Sequence, residues 1–296
     1  MKIGYPCINW GLTSRSNATF RLKSYTPEKF RDTVKINLHG LQDILAFNAS
    51  HDLNFFRISS DLIPFASHPI CEVDWIKEFK TELTTIGDYI RKHDFRISMH
   101  PSQFVLITAQ SEKIVENSVR DLDWHCRLLD AFNLDLSAKV QIHVGAAYGD
   151  KSRALEKFIH NYHSLPSHIK QRLVIENDDR IFDLKDCLYL HAKIGIPIIF
   201  DNLHHACLHN DEPLIEAITA ASKTWSTQDG ILMADYSSQE PNARVGKHAQ
   251  SIDEQAFTEY LQATRNLNFD VMLEIKDKEP SALKAYALMQ KVRGKA

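Results

Sequence analysis

Eight short apolar segments, each followed by a longer amphipathic segment, constrain the fold of this chain more than any other feature. The apolar segments suit strands that are buried on both faces, and they lie at residues 2–5, 54–59, 96–99, 139–143, 172–176, 197–201, 231–235 and 270–274. Stretches with helical periodicity follow them, at residues 27–48, 74–93, 112–132, 151–165, 183–192, 212–224, 252–267 and 280–293. The alternation predicts an α/β fold, and eight such units close a (β/α)8 TIM barrel.

An open, doubly wound sheet is the competing α/β architecture. That fold carries a glycine-rich phosphate-binding turn after its first strand, whereas this chain has the residues YPCINW at positions 5–10. No Gly/Ser-rich linker or charge block interrupts the 296 residues, and barrels commonly fill this length as one unit. We therefore predict a single TIM-barrel catalytic domain, residues 1–296.

Composition limits the partners and the compartment. With 44% hydrophobic and 25% charged residues the chain can bury a large core, and its formal net charge of −3 gives no bulk attraction to nucleic acid. The five cysteines are scattered and form no C-x-x-C pair, and no segment approaches the ~18 apolar residues of a membrane span. These features predict a cytoplasmic protein with reduced thiols and no membrane contact.

Polar residues follow nearly every predicted strand, where a barrel would gather them at its carboxyl-terminal mouth. They are Tyr5, Asn9, Ser59, Ser60, His68, His100, His143, Glu176 to Asp179, Asp201, His204, His205, Asp235 and Glu274. Any one of them alone reads best as a helix cap or a loop contact. Together, four carboxylates at one mouth would repel one another without cations, so the set predicts a metal cluster.

The residue types indicate which metals would bind. Mixed imidazole and carboxylate ligands suit Zn²⁺, Mn²⁺ or Fe²⁺, and the surplus of ligands over a mononuclear site predicts more than one ion. Glu176 is the candidate bridging ligand. Asp201 and His204 are three residues apart just past a strand, so one turn can present both to a metal, whereas His205 is better explained as an orienting or capping residue.

Several of these segments resemble the UV damage endonuclease family, whose relatives include apurinic endonucleases and sugar isomerases with metal-bearing barrels. The resemblance covers most of the chain and is carried by GYP at 4–6, FRISSDLIP at 56–64, HP at 68–69, RISMHP at 96–101, HVGAAYGDK at 143–151, ENDD at 176–179, FDNLHH at 200–205, DYSSQ at 235–239 and LEIK at 273–276.

The resemblance implies a role for each matching residue. Metal ligands are expected at His68, His100, His143, Glu176, Asp201, His204, Asp235 and Glu274; catalytic roles at Glu176, His248 and Lys276; and lesion contacts at Tyr5, Asn9, Gln103 and Phe104. Two or three divalent ions are expected, Mn²⁺ first, with Zn²⁺, Mg²⁺ and Co²⁺ as alternatives. Asp235 stands where some members have histidine, and Met233 where some have a lysine that can be carboxylated, so we expect no carbamate ligand.

The activity that the resemblance implies is hydrolysis of DNA immediately 5′ to UV photoproducts, namely cyclobutane pyrimidine dimers, 6-4 photoproducts and other distorting lesions. The expected partner is damaged double-stranded DNA, bound by a monomer. One alternative is a sugar isomerase or epimerase that uses Glu176 and Glu274 around one metal. Further alternatives are an apurinic endonuclease of the same fold and a noncatalytic protein that binds DNA damage.

Overall fold

Eight parallel strands close into a barrel. The computed structural model describes residues 1–294, and its strands are Ile3–Pro6 (β1), Phe55–Ile58 (β2), Arg96–Met99 (β3), Lys139–His143 (β4), Leu173–Glu176 (β5), Ile198–Asp201 (β6), Leu232–Tyr236 (β7) and Phe269–Leu273 (β8). Each strand pairs with the next along the chain, and β8 pairs with β1. The TIM-barrel prediction and all eight predicted strands are confirmed.

Helices follow the strands and cover the outside of the barrel. They are Pro27–Ser50 (α1), Trp75–Glu78 (α2), Lys80–Lys92 (α3), Glu112–Ala131 (α4), Lys151–His163 (α5), Ser167–Arg172 (α6), Leu184–Ile194 (α7), Asn202–Cys207 (α8), Leu214–Ser222 (α9), Glu254–Ala263 (α10) and Glu279–Arg293 (α11). In the part of the chain that the structure describes, no helix is long and apolar enough to cross a membrane.

The helix predictions differ from the structure in three places. The single helix predicted at 74–93 is two helices, α2 and α3, which break at the buried residue Phe79. Two helices of six residues each, α6 and α8, were not predicted, because so short a segment has no readable period.

The predicted domain, residues 1–296, includes residues 295 and 296, which lie outside the described residues. The single-domain prediction stays a prediction.

Side chains two residues apart on a strand occupy successive layers inside the barrel. The lower layer is apolar and fully buried, and it consists of Phe55, Val174, Ile199, Met233 and Met272. Two positions further along the same strands stand the polar residues Arg57, Glu176, Asp201, Asp235 and Glu274. The barrel thus supports its polar mouth on an apolar floor, and Met233 belongs to that floor.

Candidate metal centre

Strand register and one short helix bring distant residues to the same level of the mouth. His143 on β4 lies beside Glu176 on β5, and Asp201 on β6 lies beside Asp235 on β7. Asp201 also begins α8: its Oδ1 accepts a hydrogen bond of 2.7 Å from the backbone N–H of His204. Because this cap fixes the first turn, the His204 Nδ1 atom returns to within 3.7 Å of Asp201 Oδ2.

Glu176 stands at the centre of three histidines. Its Oε1 lies 3.0 Å from Nδ1 of His204, and its Oε2 lies 3.6 Å from Nε2 of His100 and 3.8 Å from Nε2 of His143. The Glu176 side chain is only 1% exposed. The carboxylate predicted to bridge two ions therefore has imidazole nitrogens next to both of its oxygens.

Backbone carbonyls orient three of the imidazoles, among them that of His204, whose Nδ1 lies 3.0 Å from the carbonyl oxygen of Asn177. The Nδ1–H of His100 donates to the carbonyl of Pro101 at 2.9 Å, and that of His248 donates to the carbonyl of Glu274 at 2.8 Å. A carbonyl can only accept, so these contacts leave the Nε2 lone pair free on each ring. His100 presents that nitrogen to Glu176, and His248 is partly exposed at the edge of the site.

The acidic side of the mouth contains Asp201, Asp235 and Glu274, and it is closed by a buried arginine. Nη2 of Arg57 donates to both oxygens of Asp235, at 2.7 and 2.8 Å, and Nη1 forms an ion pair with Glu274. Gln141 joins the network, because its Oε1 accepts from Arg57 at 2.8 Å and its Nε2 donates to Asp235 at 2.6 Å and also to Glu176.

Burial and these neighbours set the protonation states. Burial raises the pKa of Asp201 to about 8 and that of Asp235 to about 7, although Arg57 opposes the second shift. Burial also opposes ionisation of Glu176 and Glu274, but the histidines around Glu176 hold its pKa well below the usual range, and Arg57 lowers that of Glu274 to about 2. Carboxylates crowded so closely favour the binding of cations, which offset their mutual repulsion.

The residues present fit divalent cations. Three sets of ligand atoms each lie within 4.8 Å of one another: His100 with His143 and Glu176, Glu176 with Asp201 and His204, and Asp201 with Asp235 and Glu274. Glu176 and Asp201 each belong to two sets, so the sets are continuous. Within residues 1–294, the buried atoms Asp201 Oδ2 and His143 Nδ1 have no hydrogen-bond partner, which is unusual for buried polar groups.

Two of the histidines expected at the mouth from the strand-end pattern lie outside these sets. His68, in the loop after β2, is exposed, and its Nδ1 accepts a hydrogen bond of 3.0 Å from the backbone N–H of Ile70. Its role as a metal ligand stays a prediction. His205 faces Glu212 at 3.8 Å instead of the three sets.

Tyr5 and Asn9 are fully buried in the structure. The Tyr5 hydroxyl donates to Oδ1 of Asn48 at 2.6 Å and accepts from Nδ2 of Asn9 at 2.9 Å, while Asn9 Oδ1 accepts from the N–H of Leu12 at 3.2 Å. With no exposed surface, neither residue can contact a lesion in this conformation. Their hydrogen bonds tie the loop that follows β1 to the barrel and to α1. Their predicted lesion contacts stay predictions.

The remaining predicted residues lie around two pockets beside the centre. One pocket, of about 230 Å³, is lined by His100, His143, Gln103 and the loop after β5, and the neighbouring Phe104 is 76% exposed. The other, of about 580 Å³, has predominantly basic charged groups, including Arg57, Arg244, Lys247, His248, Lys276 and Lys278, with Glu274 as its carboxylate. We call it the basic pocket. It connects the metal centre with the surface.

Arg57 and Gln141 were not predicted as site residues, although they link three of the predicted ones, Glu176, Asp235 and Glu274. A signal for them exists in the sequence: each is a polar residue inside a strand with an apolar residue on either side. Such a side chain must find a polar partner inside the barrel. In the structure both side chains point into the barrel at the level of the metal centre, where they contact each other and its carboxylates.

Known proteins resemble this chain over its whole length. The family model described as UV-endonuclease UvdE matches residues 1–295. A UV DNA damage endonuclease of Clostridium perfringens is 40% identical over 99% of this chain and 71% of its own length, and one of Bacillus cereus is 35% identical over 92% and 86%. The crystal structure of SacUVDE superposes with a TM-score of 0.95 at 41% identity and full coverage of both chains.

More distant structures share the fold alone. A D-psicose 3-epimerase from Clostridium cellulolyticum H10 has a TM-score of 0.58 with 11% identity, over 99% of both chains. At that identity the likeness says nothing about the reaction, whereas the family match extends through every strand end that carries a ligand-type residue. The chain belongs to the UV-endonuclease UvdE family.

Proposed function

We propose that this protein hydrolyses the DNA phosphodiester immediately 5′ to UV photoproducts and other distorting lesions, leaving a 3′-hydroxyl and a 5′-phosphate. The observation that carries the proposal is the continuous set of histidines and carboxylates around Glu176, which opens into the basic pocket. Membership of a family of UV endonucleases supports it. A centre of divalent ions next to a cationic pocket suits a phosphodiester, because both neutralise the charge of the reacting group.

We propose His68, His100, His143, Glu176, Asp201, His204, Asp235 and Glu274 as the ligands of two or three divalent ions, with Mn²⁺ as the first choice of metal. When bound, such ions activate water and neutralise charge on the phosphate. Glu176 is the proposed bridge, because it belongs to two of the three ligand sets. Asp235 is the ligand for which Arg57 competes.

Protein groups beside the centre would position the phosphate. His248 has its Nδ1 fixed by a carbonyl, which leaves Nε2 to hydrogen-bond an oxygen of the scissile group. Lys276 is exposed and lines the basic pocket together with Arg244 and Lys247, so it can pair with the strand's phosphates. These contacts would hold the DNA backbone next to the metal centre.

Selection of lesions would depend on the loop after β3. Phe104, 76% exposed, is available as a wedge that fills the space left when a poorly stacked lesion leaves the duplex, and Gln103 beside it offers an amide for the exposed base edges. A distorted dimer costs less to unstack than an intact pair, so the deformability of the DNA supplies the selectivity.

The test is nicking of UV-irradiated supercoiled plasmid in Mn²⁺, followed by mapping of the cut on a duplex with one thymine dimer. A single cut directly 5′ to the dimer is expected, and chelation should abolish it. Binding without a cut would favour the noncatalytic alternative, a cut at abasic sites alone the apurinic endonuclease, and turnover of ketoses the epimerase.

The proposal extends to a monomer that works in the cytoplasm, because the enzyme must reach its DNA substrate. Analytical ultracentrifugation of the purified protein tests the monomeric state. Cell fractionation with an antibody against the chain tests the compartment.

A further inference from the structure

Trp10 is an exposed tryptophan on the rim of the mouth. Its side chain is 54% exposed, although Tyr5 on β1 and Asn9, the residue directly before it, are fully buried. A single exposed aromatic side chain is common on protein surfaces. What distinguishes Trp10 is the way its loop and its ring are held, together with the charges around it.

A buried carboxylate holds the loop of Trp10 in place. Glu279, at the start of α11 and 5% exposed, accepts hydrogen bonds from the backbone N–H of Trp10 at 2.9 Å and of Gly11 at 2.7 Å. The indole Nε1–H donates to the carbonyl of Lys276 at 3.3 Å. Since backbone and ring are both anchored, Trp10 presents its indole with little conformational freedom left to lose on binding.

One side of the indole is already occupied by a cation. The guanidinium of Arg15 lies over the ring, 5.7 Å from its centroid, and Arg15 is itself fixed by a hydrogen bond of 3.0 Å to the carbonyl of Ser14. The exposed part of the ring is then available to a flat ligand. Arginine, indole and a nucleobase would form a continuous stack, an arrangement that proteins use for unpaired bases.

The charges around Trp10 identify the ligand. Lys276, whose carbonyl holds the indole, has its side chain in the basic pocket with Arg244, Lys247 and Lys278. A strand whose phosphates lie in that pocket would carry its bases past the indole. An apolar peptide would match the aromatic surface but not the cationic cleft, whereas a DNA strand offers flat bases and anionic phosphates together.

We propose that Trp10 is a specificity-determining residue that stacks on an unpaired nucleobase of the DNA strand held in the basic pocket. The inference rests on the proposed function and deepens it, because it adds a stacking surface on the β1 side of the mouth to Phe104 on the β3 side. The loop after β1 would then contact DNA through Trp10, with Tyr5 and Asn9 as its support.

Two measurements on the full chain test the stack. The probe is a duplex that carries one thymine dimer: its affinity is measured with Ca²⁺ in place of Mn²⁺, and its nicking is measured with Mn²⁺. Trp10→Ala should raise Kd and KM about 5- to 100-fold, the factor that the stacking energy of one base represents, while kcat changes less than about 3-fold. Trp10→Phe should keep most of the affinity. Tyr189→Ala, which removes an exposed aromatic from α7, is the matched control.

Tryptophan fluorescence adds a readout that a merely structural role would not move. Trp75 and Trp124 are buried and Trp225 is half-buried, so the DNA-dependent quenching expected for the wild type should disappear in Trp10→Phe. Unchanged Kd and KM in Trp10→Ala would overturn the inference even if the wild type nicks correctly. A wild type that shows Trp10-dependent quenching but nicks nothing would overturn the proposed reaction and retain the stack.

Discussion

Replacing Arg57 with methionine would remove the cation that lies between two carboxylates inside the barrel. Arg57 is 3% exposed, and its guanidinium donates to both oxygens of Asp235, to Gln141 and to Glu274. Methionine retains much of the side-chain volume, so the perturbation is mainly electrostatic. It leaves the fully buried Asp235 without its charged partner.

The expected cost follows from that burial. Removing one partner of a buried ion pair destabilises a protein by about 3–5 kcal/mol. In a chain of this size each kcal/mol moves the melting temperature by about 2–4 °C, so the metal-free variant should melt about 6–20 °C below the wild type. The cost should grow with pH, because burial already raises the pKa of Asp235 to about 7 and a protonated Asp235 needs no counter-charge.

Thermal unfolding followed by circular dichroism in EDTA, at pH 6 and pH 8.5, measures this loss. Asp235→Asn is the partner variant, and the double variant completes a thermodynamic cycle. In the Arg57→Met background the asparagine should restore most of the lost stability, since the fully buried charge of Asp235 is gone and only Glu274, which is 20% exposed, is left without its cation. A fall of less than about 2 °C at pH 8.5, or an equal fall in the double variant, would refute the electrostatic explanation.

Three other substitutions have distinct expected outcomes. Glu176→Gln should lower nicking of UV-irradiated plasmid about 100-fold or more with an unchanged circular dichroism spectrum, because an amide is a poor bridge between ions; near wild-type nicking would contradict the proposed centre. Phe104→Ala should shift the melting temperature by less than about 2 °C and weaken binding of dimer-containing duplex about 5- to 100-fold, with undamaged duplex as the comparison. Burial lowers the pKa of His125 to about 4, so its neutral form stabilises the fold above pH about 6.5, and about 3 kcal/mol is lost as the pH falls towards 4. His125→Gln should flatten that acid limb in urea titrations, and an unchanged limb would assign it to other groups.

The sequence predicted the parts of the site that local patterns determine. Alternating apolar and amphipathic segments specify the barrel, and ligand-type residues at strand ends specify its mouth, which is why His100, His143 and Glu176 were found together. The side chains that were missed depend on long-range geometry. Arg57 reaches Asp235, 178 residues away in the chain, only because the pairing of β8 with β1 closes the barrel and brings β2 and β7 around the same interior.

Exposure was the other quantity that the sequence could not supply. His68 and Tyr5 both lie in segments that resemble the family's motifs, yet His68 is exposed and Tyr5 is fully buried. The exposure of each side chain depends on how distant parts of the chain pack together. The Tyr5 hydroxyl on β1, for example, is covered by its contact with Asn48 on α1. No pattern within a few residues encodes such a contact.

The spread of the ligand sets along the chain has a consequence for protein synthesis. The sets draw on β3 to β8, and the last of them needs Glu274, which follows β8 near the end of the chain. A growing polypeptide that has emerged as far as β6 can offer histidines to a metal, but it cannot yet provide Asp235 or Glu274. The complete constellation therefore becomes available only after β8 has emerged, at the same stage at which β8 pairs with β1. Nuclease chemistry would then be confined to chains whose barrel has closed.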